Sequence, residues 1–214
     1  WAQAAALIFD MDGTLIDSEK FTENAVADFL NERQIKFDPD ALQQYHGVTW
    51  RHVVHQLAAN QLCDLQECDR IASYLHERFE WWCLNYPPPY IPGAPQFFRH
   101  VALSRPVAIC TSSGPSSVQA LLARKEFQNI DVCVVAAGMY EHSKPAPDPY
   151  LRTAEKLGIA PEHCVVFEDS IAGLTAAREA GMHTIGVLHR SAYPQVAMKL
   201  AHEVIRDFTE LSIS

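Results

Sequence analysis

Four places in this chain carry side chains that could act together on a phosphate group. Asp10 and Asp12 lie in Asp10-Met11-Asp12-Gly13-Thr14-Leu15. Thr111-Ser112-Ser113-Gly114 follows one apolar run and Glu168-Asp169-Ser170 follows another, while Lys144 opens Lys144-Pro145-Ala146-Pro147-Asp148. Four carboxylates brought to one point repel each other unless a cation sits among them. Hard oxygen donors, one or two carboxylates and a substrate phosphate suit Mg2+. A lysine and a Ser/Thr-rich turn at a helix start make a cradle for an anion. Metal, lysine and backbone donors together neutralise charge on a transferring phosphoryl group. Asp10, Asp12 and Asp169 are the expected metal-site residues, with Glu168 directly on the ion or one layer behind it.

Whether these groups meet depends on the elements that carry them. Residues 5–9 form a short apolar run, read as a buried strand that ends in acidic residues. Ser18–Arg33 has Phe21, Ala25, Phe29 and Leu30 at helical spacing, and Trp50–Gln61 and Cys68–Asn85 are also helical in pattern. The proline-rich stretch Tyr86–Gly93 breaks any regular element and reads as the return from a helical insert. Helices and strands then alternate. Helices are expected at 95–103, 116–127, 149–157 and 170–180, the last closed by Gly181. Strands are expected at 106–110, 130–136, 164–167 and 184–187. This order implies a parallel sheet covered on both faces. Ligands of such sheets bind beyond the carboxyl ends of the strands, so all four clusters are expected on one edge.

At this point the residues resemble a known family. Asp10-Met11-Asp12-Gly13-Thr14-Leu15 is similar to the first motif of the haloacid dehalogenase (HAD) superfamily. Thr111, Lys144 and Glu168-Asp169 match its second, third and fourth motifs in order and after the right elements. Ser143-Lys144-Pro145-Ala146-Pro147-Asp148-Pro149-Tyr150 resembles the branch of β-phosphoglucomutase and many sugar phosphatases. The resemblance spans nearly the whole chain. It implies an α/β fold: a Rossmann-like parallel-sheet core at 1–17 and 89–214, with an inserted four-helix cap at 18–88. It further implies a Mg2+-dependent phosphatase of small phosphomonoesters. Asp10 would be the nucleophile that forms a phospho-aspartate and also touches Mg2+. Asp12 would be the general acid and base, its backbone carbonyl a metal ligand. Thr111, Ser112 and Lys144 would hold phosphoryl oxygens, and Asp169 would anchor the metal. Closure of the cap would exclude water.

The cap is expected to choose the substrate. Gly47-Val48-Thr49-Trp50-Arg51 resembles a cap loop that enters the site in this branch, so Trp50, Arg51 and, from the first cap helix, Thr22 are candidate specificity residues. β-Phosphoglucomutase carries a histidine where Thr22 falls and an arginine where Trp50 falls, which argues against a mutase. Asp12 argues against a dehalogenase, whose leaving group needs no proton. A phosphosugar mutase and a non-catalytic phospholigand-binding regulator are the alternatives.

Plainer readings compete at several positions. Asp17 and Ser18 precede a helix and read as caps. Ser112, Ser113, Ser116 and Ser117 read chiefly as backbone or capping residues. His52 and His55, spaced three apart, have no matching Cys/His pair and read as surface or packing residues rather than zinc ligands. Trp81 and Trp82 read as packing of the insert.

Composition sets the outer bounds. The chain has 214 residues, 48% of them hydrophobic and 20% charged, enough to bury a sizeable core without a disulfide or structural metal. A net charge of −9 argues against nucleic acid as partner, since a phosphate backbone needs a basic surface. The expected partner is a small phosphorylated metabolite, bound by a monomer or weak dimer. Six cysteines form no Cys-x-x-Cys pair, and Cys110, Cys133 and Cys164 in apolar runs read as buried thiols, a cytoplasmic pattern. No apolar run approaches the ~18 residues of a membrane span.

Overall fold

The structure is a computed structural model that describes residues 1–46, 48–189 and 194–212. Six strands form one all-parallel sheet: β1 (Ala6–Phe9), β2 (Val107–Cys110), β3 (Val132–Val135), β4 (Cys164–Glu168), β5 (His183–Val187) and β6 (Glu203–Ile205). Their order across the sheet is β3-β2-β1-β4-β5-β6. The order reverses between β1 and β4, and such a switch point opens a crevice beyond the strand ends. The two strands that flank it are the ones that end in Asp10 and in Glu168.

Continuous apolar sequence makes the central strands, because both of their faces are covered. Along β1 the side chains alternate between two cores. Leu7 and Phe9 face a layer that includes α4 (Ala94–Ala102), α5 (Pro115–Leu122) and Phe208. Ala6 and Ile8 face α6 (Asp148–Leu157) and α7 (Ile171–Glu179). The first face is largely aromatic: the Phe9 and Phe167 rings stack with centroids 4.9 Å apart, and Phe97 and Phe208 pack around Phe167 at 5.4 and 5.3 Å.

Between β1 and α4 the chain makes a helical insert of α1 (Glu19–Glu32), α2 (Trp50–Ala59) and α3 (Cys68–Asn85). Four helices are expected there. The fourth place is taken by a seven-residue 3-10 helix, Pro39–Tyr45, whose entry is fixed by the Asp38 carboxylate accepting from the Asp40 N–H. Val26, Phe29 and Leu30 of α1, Val53, Val54 and Leu57 of α2, and Ile71 and Leu75 of α3 form a third, separate core. The outgoing and returning linkers run side by side, with Asp17 N–H donating to Pro89 O at 2.8 Å and Ile91 N–H to Leu15 O at 3.1 Å. Trp81, expected to pack, is 42% exposed, whereas Trp82 donates its indole N–H to Asp28 at 3.0 Å.

β6 and α8 (Pro194–Leu200) have no counterpart among the expected elements. β6 is only three residues long, too short to leave an apolar signal. Cys110 and Cys164 are buried thiols as expected, but Cys133 is half-buried, because β3 is the edge strand. No described helix is long and apolar enough to cross a membrane.

The aromatic layer carries much of the stability of the sheet. Phe167→Ala leaves a large cavity beside Phe9, Phe97 and Phe208, and is expected to cost about 3–5 kcal/mol. Urea unfolding, with an unchanged slope and a lower midpoint, is the measurement that checks it.

Candidate active site

β1 continues past Phe9 with one more ladder bond, Asp10 N–H to Phe167 O at 3.0 Å, which fixes the first carboxylate at the strand end. The chain then turns sharply. Gly13 has φ +81°, and its N–H donates to Ile16 O at 2.8 Å. A side chain is excluded here twice over. The backbone is left-handed, and a Cβ would lie 2.2 Å from an Asp169 carboxylate oxygen. Thr14 donates its hydroxyl to the other Asp169 oxygen at 3.0 Å. The turn after β1 therefore holds the residue that follows β4.

Lys144 ties the two strand ends together. Its ammonium donates to Asp10 Oδ1 at 2.6 Å, to Glu168 Oε2 at 2.7 Å and to the Cys110 carbonyl at 3.2 Å. Glu168 is fully engaged. One oxygen accepts from Lys144 and the Tyr150 hydroxyl, the latter at 2.7 Å. The other accepts from the Ser170 N–H at 3.0 Å and the Ser170 hydroxyl at 2.8 Å. The carboxylate reaches this position because Gly173 has no side chain, a Cβ there being 1.9 Å from Glu168 Oε2. Lys144 also lies 4.9 Å from the centre of the buried Tyr150 ring.

One ammonium among three buried carboxylates leaves an excess of negative charge. Burial, then the charge of Glu168, pushes Asp10 well above the usual carboxylate range although Lys144 opposes it. Asp169 is raised for the same reasons, with Asp10 and Glu19 adding to the repulsion. Burial alone would also raise Glu168, but Lys144 and the hydrogen bonds from Tyr150 and Ser170 together outweigh it and hold Glu168 below its ordinary value. Burial works against a charged Lys144, yet Asp10 and Glu168 hold its ammonium well above the normal lysine range. Asp10, Glu168 and Asp169 each present an oxygen within 4.8 Å of the others. An all-oxygen donor set with surplus negative charge fits a hard divalent cation such as Mg2+. Among the described residues no histidine or cysteine belongs to a comparable group.

Asp12 has different surroundings. Ser18 donates its hydroxyl to Oδ1 at 2.8 Å and Ser113 donates to Oδ2 at 2.6 Å. Ser18 heads α1 but makes no capping bond there, so its expected capping role gives way to the Asp12 contact. Ser113 is likewise no cap. Thr111 accepts from the Ser113 N–H at 3.0 Å and is 3.5 Å from Asp12. Ser112 is exposed at the cavity rim. Burial raises the Asp12 pKa, and the two serine bonds pull it back in part.

Asp10, Asp12, Thr111, Lys144, Glu168 and Asp169 line one cavity of about 340 Å3 between the sheet edge and the insert. Glu19, Thr22, Trp50, His76 and Phe79 form much of the insert's share of its wall. Arg51 is not brought in. It is 2.8 Å from Asp69 on the outer surface, because one residue along a helix turns the side chain by about 100°. His52 and His55 are exposed on α2. Ser18, Glu19, His76, Phe79, Ser113 and Tyr150 were not singled out for the site in the sequence. Of these, Ser113 stood in the Ser/Thr-rich turn 111–114, where it read chiefly as a backbone or capping residue, and Tyr150 stood inside a recognised motif.

The insert also grips the sheet domain outside the cavity. α5 begins at Gly114, which offers no capping side chain. Glu80 of α3 supplies the acceptor instead, taking the Gly114 N–H at 3.0 Å and the Ser117 hydroxyl.

A family model described as haloacid dehalogenase-like hydrolase matches residues 7–187. The fructose-1-phosphate phosphatase YqaB of Escherichia coli is 34% identical over 191 residues, which cover 86% of this chain and 96% of that one. A crystal structure of a HAD hydrolase, family IA, variant 3, from Entamoeba histolytica superposes with a TM-score of 0.76 at 25% identity, covering 97% and 95% of the two chains. A β-phosphoglucomutase structure from Clostridium difficile has a TM-score of 0.71 at 21% identity, covering 98% and 93%, which marks a shared fold.

Two variants test this geometry. Gly173→Ala is expected to push Glu168 off its position and Lys144 with it. Turnover should fall about a hundredfold, as displacements of an ångström can cost, while circular dichroism stays native. Glu80→Ala leaves the start of α5 uncapped, and a loss of about 1 kcal/mol is expected in thermal or urea unfolding.

Proposed function

The chain belongs to the haloacid dehalogenase-like hydrolase family, and on that premise we propose that it is a Mg2+-dependent phosphatase of a small phosphomonoester, acting through a phospho-aspartate. The observation that carries this reading is the Lys144 ammonium bridging Asp10 and Glu168 at 2.6 and 2.7 Å on the floor of the cavity, beside Asp169. The activity for which the Escherichia coli relative is named, on fructose 1-phosphate, supports a sugar phosphate or similar metabolite as substrate.

Asp10 is the nucleophile. One of its oxygens is held by Lys144, which fixes the direction from which the carboxylate can attack phosphorus. As the P–O bond to the leaving group breaks, the departing oxygen needs a proton, and Asp12 is the donor. Burial raises the Asp12 pKa, which favours its acid form. The same group, now a carboxylate, takes a proton from the water that cleaves the phospho-aspartate. Ser18 and Ser113 hold Asp12 in line for both transfers. Lys144, Thr111 and Ser112 receive the phosphoryl oxygens. Asp10, the Asp12 carbonyl and Asp169 are the residues that would hold Mg2+. The ion would supply positive charge against the transferring phosphoryl group. Glu168 acts by positioning Lys144, since both of its oxygens are already bonded twice. Residues 18–88 act as a cap that keeps bulk water out during the first transfer.

The test is phosphate release from a panel of small phosphomonoesters. We expect activity that is lost with EDTA and restored by Mg2+. Asp10→Asn should lower turnover by roughly 10^4-fold or more, the scale of losing a nucleophile. Release of phosphate by Asp10→Asn at the wild-type rate would overturn the phospho-aspartate route.

A further inference from the structure

The turn after β2 orients Asp12 through one peptide unit. Ser113 donates its hydroxyl to Asp12 Oδ2 at 2.6 Å, so the aim of that hydroxyl depends on the backbone that carries it. The peptide unit joining Ser113 to Gly114 is bonded at both ends. Its carbonyl accepts from the Ala137 N–H at 3.0 Å, and its N–H donates to Glu80 Oε1 at 3.0 Å. The first bond comes from the chain just beyond β3, within the sheet domain. The second comes from α3, within the insert. A peptide is a rigid plane, so holding its oxygen and its nitrogen together fixes its tilt. With either end released, the plane can rotate about the line between its two Cα atoms and turn the Ser113 side chain.

Glu80 is placed to hold this plane and nothing in the cavity. Its second oxygen accepts from the hydroxyl of the buried Ser117, three residues along α5, so the carboxylate is engaged on both sides. Phe79, one residue earlier, takes the cavity wall, and Glu80 is not part of that wall. The other hydroxyl on Asp12 comes from Ser18, at the head of α1. Both bonds to Asp12 therefore depend on the insert: one directly through Ser18, the other through Glu80, the peptide and Ser113.

We infer that Glu80 is a positioning residue for Asp12, its carboxylate pinning the Ser113–Gly114 peptide and so holding the Ser113 hydroxyl on the acid. This rests on the phosphatase reading above, in which Asp12 protonates the leaving oxygen, and adds to it a residue that never meets the substrate. The role requires a hydrogen-bond acceptor at Glu80 and not a charge.

A positioning role and a merely structural one separate by leaving group. Fructose 1-phosphate releases an alkoxide, which needs a proton as the P–O bond breaks. p-Nitrophenyl phosphate releases a phenolate that is stable without one. For both esters kcat/KM reads phosphoryl transfer to Asp10 rather than the later hydrolysis. For Glu80→Ala we expect kcat/KM to fall roughly ten- to a hundredfold on the alkyl ester and less than about threefold on the aryl ester, since a positioned general acid supplies about 10^2- to 10^4-fold. Glu80→Gln, which keeps the acceptor, should restore most of the alkyl activity. In a Ser113→Ala background, Glu80→Ala should cost little more, because the link is already cut. Equal losses on the two esters, an unchanged alkyl rate, a Glu80→Gln that behaves as Glu80→Ala, or a full further loss in Ser113→Ala would overturn the inference. Amide hydrogen exchange at Ser113 gives a readout without turnover. That N–H donates to Thr111 Oγ1 at 3.0 Å and does not touch Glu80. Relative to the amides of β1, it should exchange faster in Glu80→Ala and at the wild-type rate in Glu80→Gln. Unchanged exchange in Glu80→Ala overturns the inference as well. Were the wild type to release no phosphate from either ester, the phosphatase reading would fall, and the exchange rates would judge the positioning by themselves.

Discussion

The site is organised by one ammonium group placed where burial alone would neutralise it. Lys144 keeps its charge because Asp10 and Glu168 lie within 2.7 Å of it. Removing two such partners from water costs several kcal/mol per ion, and the cost is met only when the remaining hydrogen-bonding capacity is also used. Glu168 meets that condition, with Tyr150 and Ser170 completing its shell. Asp10 and Asp169 do not. Each is left with raised affinity for a positive partner, either a proton or a metal ion. The pairing thus does two things at once: it fastens the ends of β1 and β4 across the switch point, and it leaves unbalanced negative charge in the crevice.

Close approach of backbone and carboxylate is what makes this packing possible. Gly13 lets Asp169 press against the turn after β1, and Gly173 lets Glu168 lie against the first turn of α7. These are steric requirements of opposite partners: one glycine follows β1 and makes room for a residue after β4, while the other lies on α7 and makes room for the end of β4 itself. The hydroxyls serve the same precision. Thr14 orients Asp169, and Ser18 and Ser113 orient Asp12 from opposite sides. Ser18 heads the first helix of the insert, so the position of Asp12 depends on where the insert sits.

Local pattern in the sequence made the larger elements readable. The apolar runs of β1, β2 and β4 are continuous because both faces are buried, and the helix spacing in 68–85 coincides with α3. The convergence of Asp10, Lys144 and Glu168 was readable too, since parallel strands put their carboxyl ends on one edge. What escaped was every role fixed by a long-range partner. Ser113 has the composition of a helix start, yet its acceptor lies 101 residues away. Tyr150 stands at the beginning of α6 like any core aromatic, and only the fold puts its hydroxyl under Glu168. Glu80 looks like a solvated helix residue, and its partners lie at the start of α5, in the other half of the molecule. Arg51 failed for a simpler reason: helical rotation put Trp50 inside and Arg51 outside.

That last detail explains how the two halves of the cavity divide their work. At the strand ends Lys144 and Glu168 are each bonded to several neighbours, so a change at one position moves the others. Altering Gly173 disturbs Glu168, then Lys144, then Asp10. On the helices of the insert, the residues that face the cavity do so by rotation alone, and their own core is formed separately by Val53, Leu57, Leu75 and the residues around them. A change at Trp50 or Thr22 alters the shape and charge of the wall while leaving the network at the sheet edge intact. Chemistry is therefore held where substitution is most disruptive, and selection among substrates is held where substitution is cheapest.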